Sequence, residues 1–447
     1  MTIAGIILAA GKGTRMLSNT PKALHKVAGV ALVGHAVRIM RSAGIDHINV
    51  VVSPDIADLP ELKEALLPGV GISIQTEQRG TADALIAARG AVSKADAIIV
   101  APMDNILVTD EIVCRIIDLH RDSGALATML GAMVEDASGL GRIKLDASGR
   151  PTTVLEEHEA DDELLQSNLI NTAWYCFDNN WIWNELDGIQ PADTGEVYLP
   201  RVIASAANSG RSRIVVSDDP DTGLGINDRV QLANAERITR RRINEAHMKS
   251  GVTLQDPATT YIDIDVEIGP DTTIGAGSHI GTRSSIGSNV VLGPNTRITS
   301  SQIGDHATVD GARVIDSTVG EGASVGTNSL LRVGAKLMPG SKVGNLAEIK
   351  NSIIGSGSHV SHFSYVGDAT IGRNVNIGAG TITCNYDGKD KHPTIIEDDA
   401  QIGSSTMLIA PVTIGKAART GAGSVVRIDV VAGDTVAGVP AKSIKSK

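Results

Sequence analysis

The stretch LAAGKGTRM, Leu8 to Met16, gathers two glycines, a lysine and an arginine on one short loop. Such a loop lets backbone N–H groups approach phosphate oxygens closely, while Lys12 and Arg15 offset their charge. Two familiar phosphate loops are excluded: Gly13 follows Lys12 where a P-loop needs Ser or Thr, and Met16 stands where a dinucleotide fingerprint needs its third glycine. Lys22, directly after Pro21, adds another cation. The chemistry on offer is recognition of a nucleotide's phosphates; a plain Gly-rich turn with solvated cations is the competing reading. Asp104 follows an apolar run and reads either as a metal-ligating carboxylate or as a helix N-cap. His362, in SHFSYVGD, has the basicity of a general base at neutral pH. Taken alone, a single surface histidine is more often solvated.

The elements that must position these residues differ between the two halves of the chain. Up to about residue 240, short apolar runs (IAGIILAA, HINVVVS, AIIVAP) alternate with amphipathic stretches such as Leu32 to Ala43. Strand, crossover helix, strand is the pattern of a mostly parallel sheet. Residues 229–250 read as a charged amphipathic helix closed by Gly251, a linker arm. From Ile262 onward the period becomes six: Ile268, Ile274, Ile280, Ile286, Leu292 and Ile298 form one series, and Val319, Val325, Leu331, Leu337, Val343 and Ile349 another. Six fits neither a 3.6-residue helix nor simple alternation. It fits a parallel β-helix with three short strands per coil, each sending one aliphatic residue inward. At roughly 18 residues per coil, residues 262–440 make on the order of ten coils. Polar CNYDGKDKHPT, Cys384 to Thr394, interrupts the sixes and reads as a loop on one face, often the binding face.

The bulk composition agrees with this division. Aromatics are only 2% against 48 glycines, because a β-helix core takes Ile, Val and Leu and its corners take Gly and Asn. A formal charge of −11 disfavours nucleic acid or an anionic membrane surface as partner. Three scattered cysteines form no CxxC pair, which suits reduced thiols and a cytoplasmic location. The N-terminal apolar run is too short to span a bilayer and lacks a basic leader, so no membrane insertion is expected.

LAAGKGTRM followed by PKALHKVAG resembles the start of sugar-phosphate nucleotidyltransferases. Further motifs run along the chain in order: EQRGTADAL, GLGRI, LEEHEA, LINTA, GINDRVQLANAERI, LLRVGA, VGNLAEIKNS, GAGTITCNYDGKDKH and IGSSTMLIAPVTIG. Together they resemble the bifunctional bacterial N-acetylglucosamine-1-phosphate uridyltransferase/glucosamine-1-phosphate N-acetyltransferase family. The resemblance implies a Rossmann-like α/β nucleotidyltransferase domain (1–228), a linker helix (229–251) and a left-handed parallel β-helix acetyltransferase domain (252–447). It also implies UTP, acetyl-CoA and Mg²⁺ as co-substrates and cofactor, sugar phosphates as substrates, and a homotrimer.

By that resemblance, Arg15 and Lys22 steady the triphosphate of UTP on the Leu8–Ala9–Gly11 loop, and Gln75, Gln78, Gly80 and Thr81 read uracil and ribose. Gly141, Glu156 and Asn171 hold the sugar, and Asp104 and Asn227 ligate Mg²⁺. In the second half His362 is the base, oriented by Glu348, and Arg332, Lys350 and Lys391 grip the sugar's phosphate. Tyr365, Asn376, Asn385 and Tyr386 position the amine, the last two also lying beside acetyl-CoA with Ser404 and Ala422. The chain departs from the family at four places. Met103 is expected to put a side chain where bare backbone approaches the nucleotide; Asp83 stands where His is usual, Arg201 where an acid is usual, and Ala173 where Gly is usual. These changes are expected to bear on the efficiency or nucleotide preference of the first reaction.

Overall fold

A computed structural model describes residues 1–189 and 195–444. The chain divides between Thr239 and Arg240 into two compact units. In the first, seven strands lie side by side in the order Ser212–Ser217, Ala127–Met133, Leu169–Asp178, Ala97–Pro102, Ile3–Leu8, His47–Val52 and Gly71–Ile74, and a hairpin of Arg142–Leu145 and Pro151–Leu155 is attached to the sheet. All pairs among the seven are parallel except those of Leu169–Asp178, which runs antiparallel to both neighbours. Successive residues of each strand face opposite sides, so the sheet carries two apolar cores. Ile7, Val50 and Ile99 pack with helices Leu32–Ser42 and Asp110–Ser123. Ile6, Val51 and Val100 pack with helices Thr81–Ala87, Asn179–Gly188 and Val202–Asn208. This is the mostly parallel α/β sheet expected from the sequence.

The strand order locates the site. From Ile3–Leu8 the chain moves outward to His47–Val52 and Gly71–Ile74, then returns to Ala97–Pro102 on the other flank. At such a reversal the two loops leaving the carboxyl ends of adjacent strands diverge and open a crevice. The Gly-rich loop leaves Leu8 and the Met103–Asp104 segment leaves Pro102, joined by Met103 N–H donating to Leu8 O at 3.2 Å.

In the second unit, strands of two or three residues stack into three sheets with 12, 10 and 9 members among the described residues, parallel except for the final pair Thr435–Ala437 and Lys442–Ser443, and form the triangular β-helix expected. Thr273 pairs Val291 one coil on, 18 residues away, and Ile274, Ile280 and Ile286 are all at most 4% exposed. A polar row accompanies the aliphatic one. Thr272, Ser278, Ser329 and Ser358 are buried, and their hydroxyls donate to glycine carbonyls of the next coil, as Thr272 Oγ1 does to Gly287 O at 2.8 Å. Beyond Cys384 the spacing widens: Asn376 pairs Gln401, 25 residues away, so the polar insertion loops out without breaking the stack.

Helix Arg229–Lys249 crosses the division, and its halves are anchored rather than free. In the first unit the Glu236 carboxylate accepts from Ala28 N–H at 2.7 Å, and Arg229 Nε donates to Met16 O at 3.2 Å. In the second, Asn244 Nδ2 donates to the Pro257 and Thr260 carbonyls, and the Arg240 guanidinium stacks 3.6 Å over Tyr261. The helix ends where Gly251, at φ +95°, donates its N–H to Met248 O.

Candidate functional site

The crevice of the first unit is a cavity of about 680 Å³. Leu8, Gly11, Arg15, Lys22, Gln75, Gln78, Gly80, Thr81, Asp104, Glu156, Asn171 and Asn227 all line it. Two of the expected residues do not. Ala9 is buried with its N–H donated to Val51 O, and Gly141 lies one layer back, its carbonyl accepting from Asn171 N–H.

Local geometry explains the loop sequence. Gly13 sits at φ +59°, and a Cβ there would come within 2.6 Å of Lys22 Cβ, so only glycine lets Lys22 pass. Lys22 is 8% exposed, and its ammonium lies between Asp104 and Asn227: it donates to Asp104 Oδ2, and to Asn227 Oδ1 at 2.9 Å. One carboxylate and one amide oxygen therefore converge on a single cationic point, with Lys22 standing in for any ion. Gln78 Nε2 donates to Ala10 O at 2.6 Å, tying the segment before helix Thr81–Ala87 to the Gly-rich loop. Burial and then the neighbouring Glu159 carboxylate push the Glu156 carboxyl above its ordinary range.

The departures from the family take definite forms. Met103 borders the cavity, but its side chain is 3% exposed and belongs to the apolar core, so it does not plug the site. Asn105 is buried and ties the loop down by donating to Thr222 O at 3.0 Å. Ala173 is held at φ +62°, a left-handed conformation that disfavours a Cβ, beside a break in strand register between Asn171 and Tyr175. Arg201 pairs with Glu159 at 3.1 Å. The sequence reading missed Tyr175, Glu196 and Tyr198, which also line the cavity. The scarcity of tyrosine in this chain was the available signal for two of them.

On the β-helix, successive coils of one sheet bring Arg332, Glu348, Lys350 and Tyr365 side by side: Arg332 is in register with Lys350, and Glu348 with Tyr365. Glu348 does not orient His362. Its carboxylate is taken by Arg332, Nη2 at 2.6 Å and Nε at 2.7 Å, because that register puts the guanidinium beside it. His362 Nδ1 instead accepts from Asn345 N–H at 3.2 Å. Lys350 reaches Asp368 at 3.5 Å, and Asp368 also accepts from Asn351 and Asn385. Burial works to raise the Asp368 carboxyl, but those two amides and Lys350 outweigh it and hold its pKa low. The Lys350 ammonium beside Lys391, with Arg332 beyond, lowers the pKa of Lys391. Lys391 and Asp368 border a second cavity of about 470 Å³. Tyr386 is exposed, its hydroxyl donating to Gly388 O.

His362, Ser404 and Ala422 occupy one corner of the helix in a rising column. His362 O accepts from Gly380 N–H; a Cβ on Gly378 would meet Ser404 N, and one on Gly403 would meet Ala422 N. Asn376 lies on the adjoining sheet, paired with His359 and Gln401. Among the described residues no group of three or more His, Cys, Asp or Glu side chains is placed to hold a metal, and no helix is long and apolar enough to cross a membrane.

Comparison with known proteins agrees with both halves. Residues 5–139 match the MobA-like NTP transferase domain, residues 265–300 the bacterial transferase hexapeptide (six repeats), and residues 393–427 the hexapeptide repeat of succinyl-transferase. The bifunctional protein GlmU of Syntrophomonas wolfei is 42% identical over 96% of both chains. Those of Heliobacterium modesticaldum and Rubrobacter xylanophilus are each 42% identical, over 96% and 98% of this chain and 93% of their own. A nucleotide-transferase crevice, a left-handed hexapeptide β-helix and similarity along the whole length place this chain in the GlmU family of bifunctional enzymes, uridyltransferase and acetyltransferase on one polypeptide.

Proposed function

We propose that the β-helix acetylates the amine of glucosamine 1-phosphate from acetyl-CoA, and that the N-terminal crevice then joins the product to UTP, releasing pyrophosphate and UDP-N-acetylglucosamine. The observation that carries the second step is the convergence of Lys22, Asp104 and Asn227 at the mouth of the Gly-rich loop. Attack of a sugar phosphate oxygen on the α-phosphorus of UTP needs alignment and charge neutralisation more than covalent help. Arg15 lines the same cavity and meets the triphosphate charge, and Glu156 and Asn171, which also line it, accept from and donate to sugar hydroxyls. The Asp104 and Asn227 oxygens suit a hard divalent cation, since they already hold the Lys22 ammonium. Mg²⁺ bound there supplies charge neutralisation on the phosphates. Lys22, which lines the same cavity, would donate to a phosphate oxygen with Asp104 and Asn227 given over to the cation.

For acetyl transfer, Arg332, Lys350 and Lys391 form the phosphate grip. The column of His362, Ser404 and Ala422 gives the thioester donor a track that ends at the imidazole. Use of His362 as base requires giving up the Asn345 N–H bond, a cost of about 1 kcal/mol. Asn376, on the adjoining face, reaches this site from a second copy in a homotrimer. Phe363, next to His362 and 66% exposed, is the kind of apolar surface such a copy covers.

One incubation with glucosamine 1-phosphate, acetyl-CoA, UTP and Mg²⁺, with products identified by mass, tests the proposal. UDP-N-acetylglucosamine is the expected product. N-acetylglucosamine 1-phosphate alone would remove the uridylyl step from the N-terminal crevice. In the same preparation, Lys22→Ala should stop at the acetylated sugar phosphate, and His362→Ala should make no acetylated product while still using supplied N-acetylglucosamine 1-phosphate.

A further inference from the structure

Between strands Ile382–Cys384 and Thr394–Ile396 the chain leaves the β-helix and folds back on itself as a small hairpin. It carries Asn385 and Tyr386 on the way out and Lys391 on the way back. We propose that Asp387 and His392, paired across this hairpin, are positioning residues for acetyl transfer: they hold the returning segment so that Lys391 stays beside Lys350 and Arg332 and meets the sugar's phosphate. The proposal rests on the reading of those three cations as the phosphate grip, and deepens it with the device that assembles them.

Backbone pairing alone gives the hairpin little shape. Asp387 N–H donates to Asp390 O at 3.2 Å and His392 N–H to Asn385 O at 2.8 Å, with Tyr386 opposite Lys391 between them. A two-stranded ribbon is marginal in water by itself, so side chains decide where this one sits. Asp387 supplies most of those ties. Its Oδ1 accepts from Lys389 N–H at 2.8 Å and Asp390 N–H at 2.7 Å, which closes the turn, and its Oδ2 lies 2.7 Å from His392 Nε2. A carboxylate only accepts, so the imidazole donates there. One acid thus joins the turn to the residue next to Lys391. These donors, His392 first, hold the Asp387 carboxyl well below the usual carboxylate range, so it is ionised at neutral pH.

Lys391 needs such a tie because its neighbours repel it. Lys350 is almost buried and reaches Asp368 at 3.5 Å, and Arg332 is bonded to Glu348. Lys391 is the exposed member of the three and has no carboxylate partner of its own among the described residues. Mutual repulsion would swing it away from the other two whenever no phosphate is bound. Its ammonium is therefore placed from the backbone side, through the residue that follows it.

Calorimetry with inorganic phosphate on the full chain tests the pair without requiring turnover. Binding should weaken on the order of tenfold in Asp387→Ala, and by about as much in Lys391→Ala. The double variant should be no weaker than Lys391→Ala, because Asp387 acts through that lysine. His392→Phe should reproduce most of the loss, and His392→Gln, which keeps a donor for the carboxylate, should recover the affinity. In parallel, the KM of Asp387→Ala for glucosamine 1-phosphate should rise with kcat little changed, while uridylyl transfer to supplied N-acetylglucosamine 1-phosphate stays at the wild-type level. Unchanged phosphate binding in Asp387→Ala, or losses that add in the double variant, would overturn the proposal while sparing the phosphate grip. A fall in kcat and in the β-helix melting temperature alongside the lost affinity would assign Asp387 a purely structural role and overturn it too. If Lys391→Ala bound phosphate as the wild-type chain does, the grip itself would be removed, and the proposal with it.

Discussion

Two side chains show how a single position tunes each site. Ala173, at φ +62°, keeps a Cβ in a conformation that costs a non-glycine residue about 1–2 kcal/mol. Glycine gives back part of that gain through the entropy of the unfolded chain, about 0.4–1 kcal/mol. Ala173→Gly should therefore stabilise the N-terminal unit by roughly 0.5–1 kcal/mol. Tryptophan fluorescence reads that unit alone, since the chain's three tryptophans, Trp174, Trp181 and Trp183, all lie in it. An unchanged or lower melting temperature would mean that the bulge beside Tyr175 already absorbs the strain. On the β-helix, Lys391 loses its proton below the 10.5 of an ordinary lysine because the Lys350 ammonium, and then Arg332, disfavour a third charge nearby. The sign follows directly: as pH rises, the cation that grips phosphate is lost earlier than a free lysine would lose it. Binding of inorganic phosphate, followed by calorimetry, should weaken on the alkaline side below that ordinary value. Lys391→Arg should hold the affinity to higher pH, because a guanidinium does not titrate there.

At the level of elements, the buried hydroxyl row of the β-helix is as structural as its aliphatic stack. Ser358 Oγ donates to Gly372 O at 2.6 Å and accepts from Val375 N–H at 2.9 Å, in a fully buried position. Ser358→Ala strands both backbone groups, at about 1–3 kcal/mol each when no water replaces the hydroxyl. The variant should unfold at measurably lower denaturant in far-ultraviolet dichroism; no shift would mean a water fills the gap. This row was not legible in the sequence, because a serine or threonine two residues before an inward aliphatic looks like a corner residue until the coils are stacked. The period-six isoleucines, by contrast, gave the coil length directly, since each residue's inward direction repeats with the turn. The same contrast runs through the sites. The Gly-rich loop is local and could be read as one. The pairing of Glu348 with Arg332 rather than His362 follows from an inter-coil register, and the hydrogen bond that Asp83 accepts from Gln75 follows from a strand-to-helix approach. Neither spacing carries a signal of its own. Leu169–Asp178 was equally hidden: its antiparallel direction is set by its neighbours in the sheet, not by its own residues.

The whole molecule joins two units whose stabilities respond differently to acid. His120 is 4% exposed, with Nδ1 3.0 Å from Thr128 Oγ1, and burial lowers its pKa from 6.5 to about 4, more than the opposing charge of Asp178 restores. His35, in the same unit, is shifted in the same direction, again chiefly by burial. Between those two pH values the unfolded chain binds a proton at position 120 that the folded unit refuses. The stability that the neutral His120 contributes to the first unit therefore falls as pH drops below 6.5, and its loss is complete near 4, where both states are protonated. At 1.36 kcal/mol per unit, His120 alone accounts for a loss of about 3 kcal/mol, a large share of a typical domain's stability. The β-helix unit has a smaller handle of this kind in half-buried His247, so it should outlast its neighbour in mild acid. Tryptophan emission should then melt progressively earlier as pH falls through this window, while the dichroism of the β-helix persists to higher temperature as a separate transition. His120→Gln, uncharged in both states, should flatten much of the pH dependence of the tryptophan transition and leave the later one in place. If emission and dichroism instead fall together at every pH, the units unfold as one, and helix Arg229–Lys249, anchored in both, is the element that couples them.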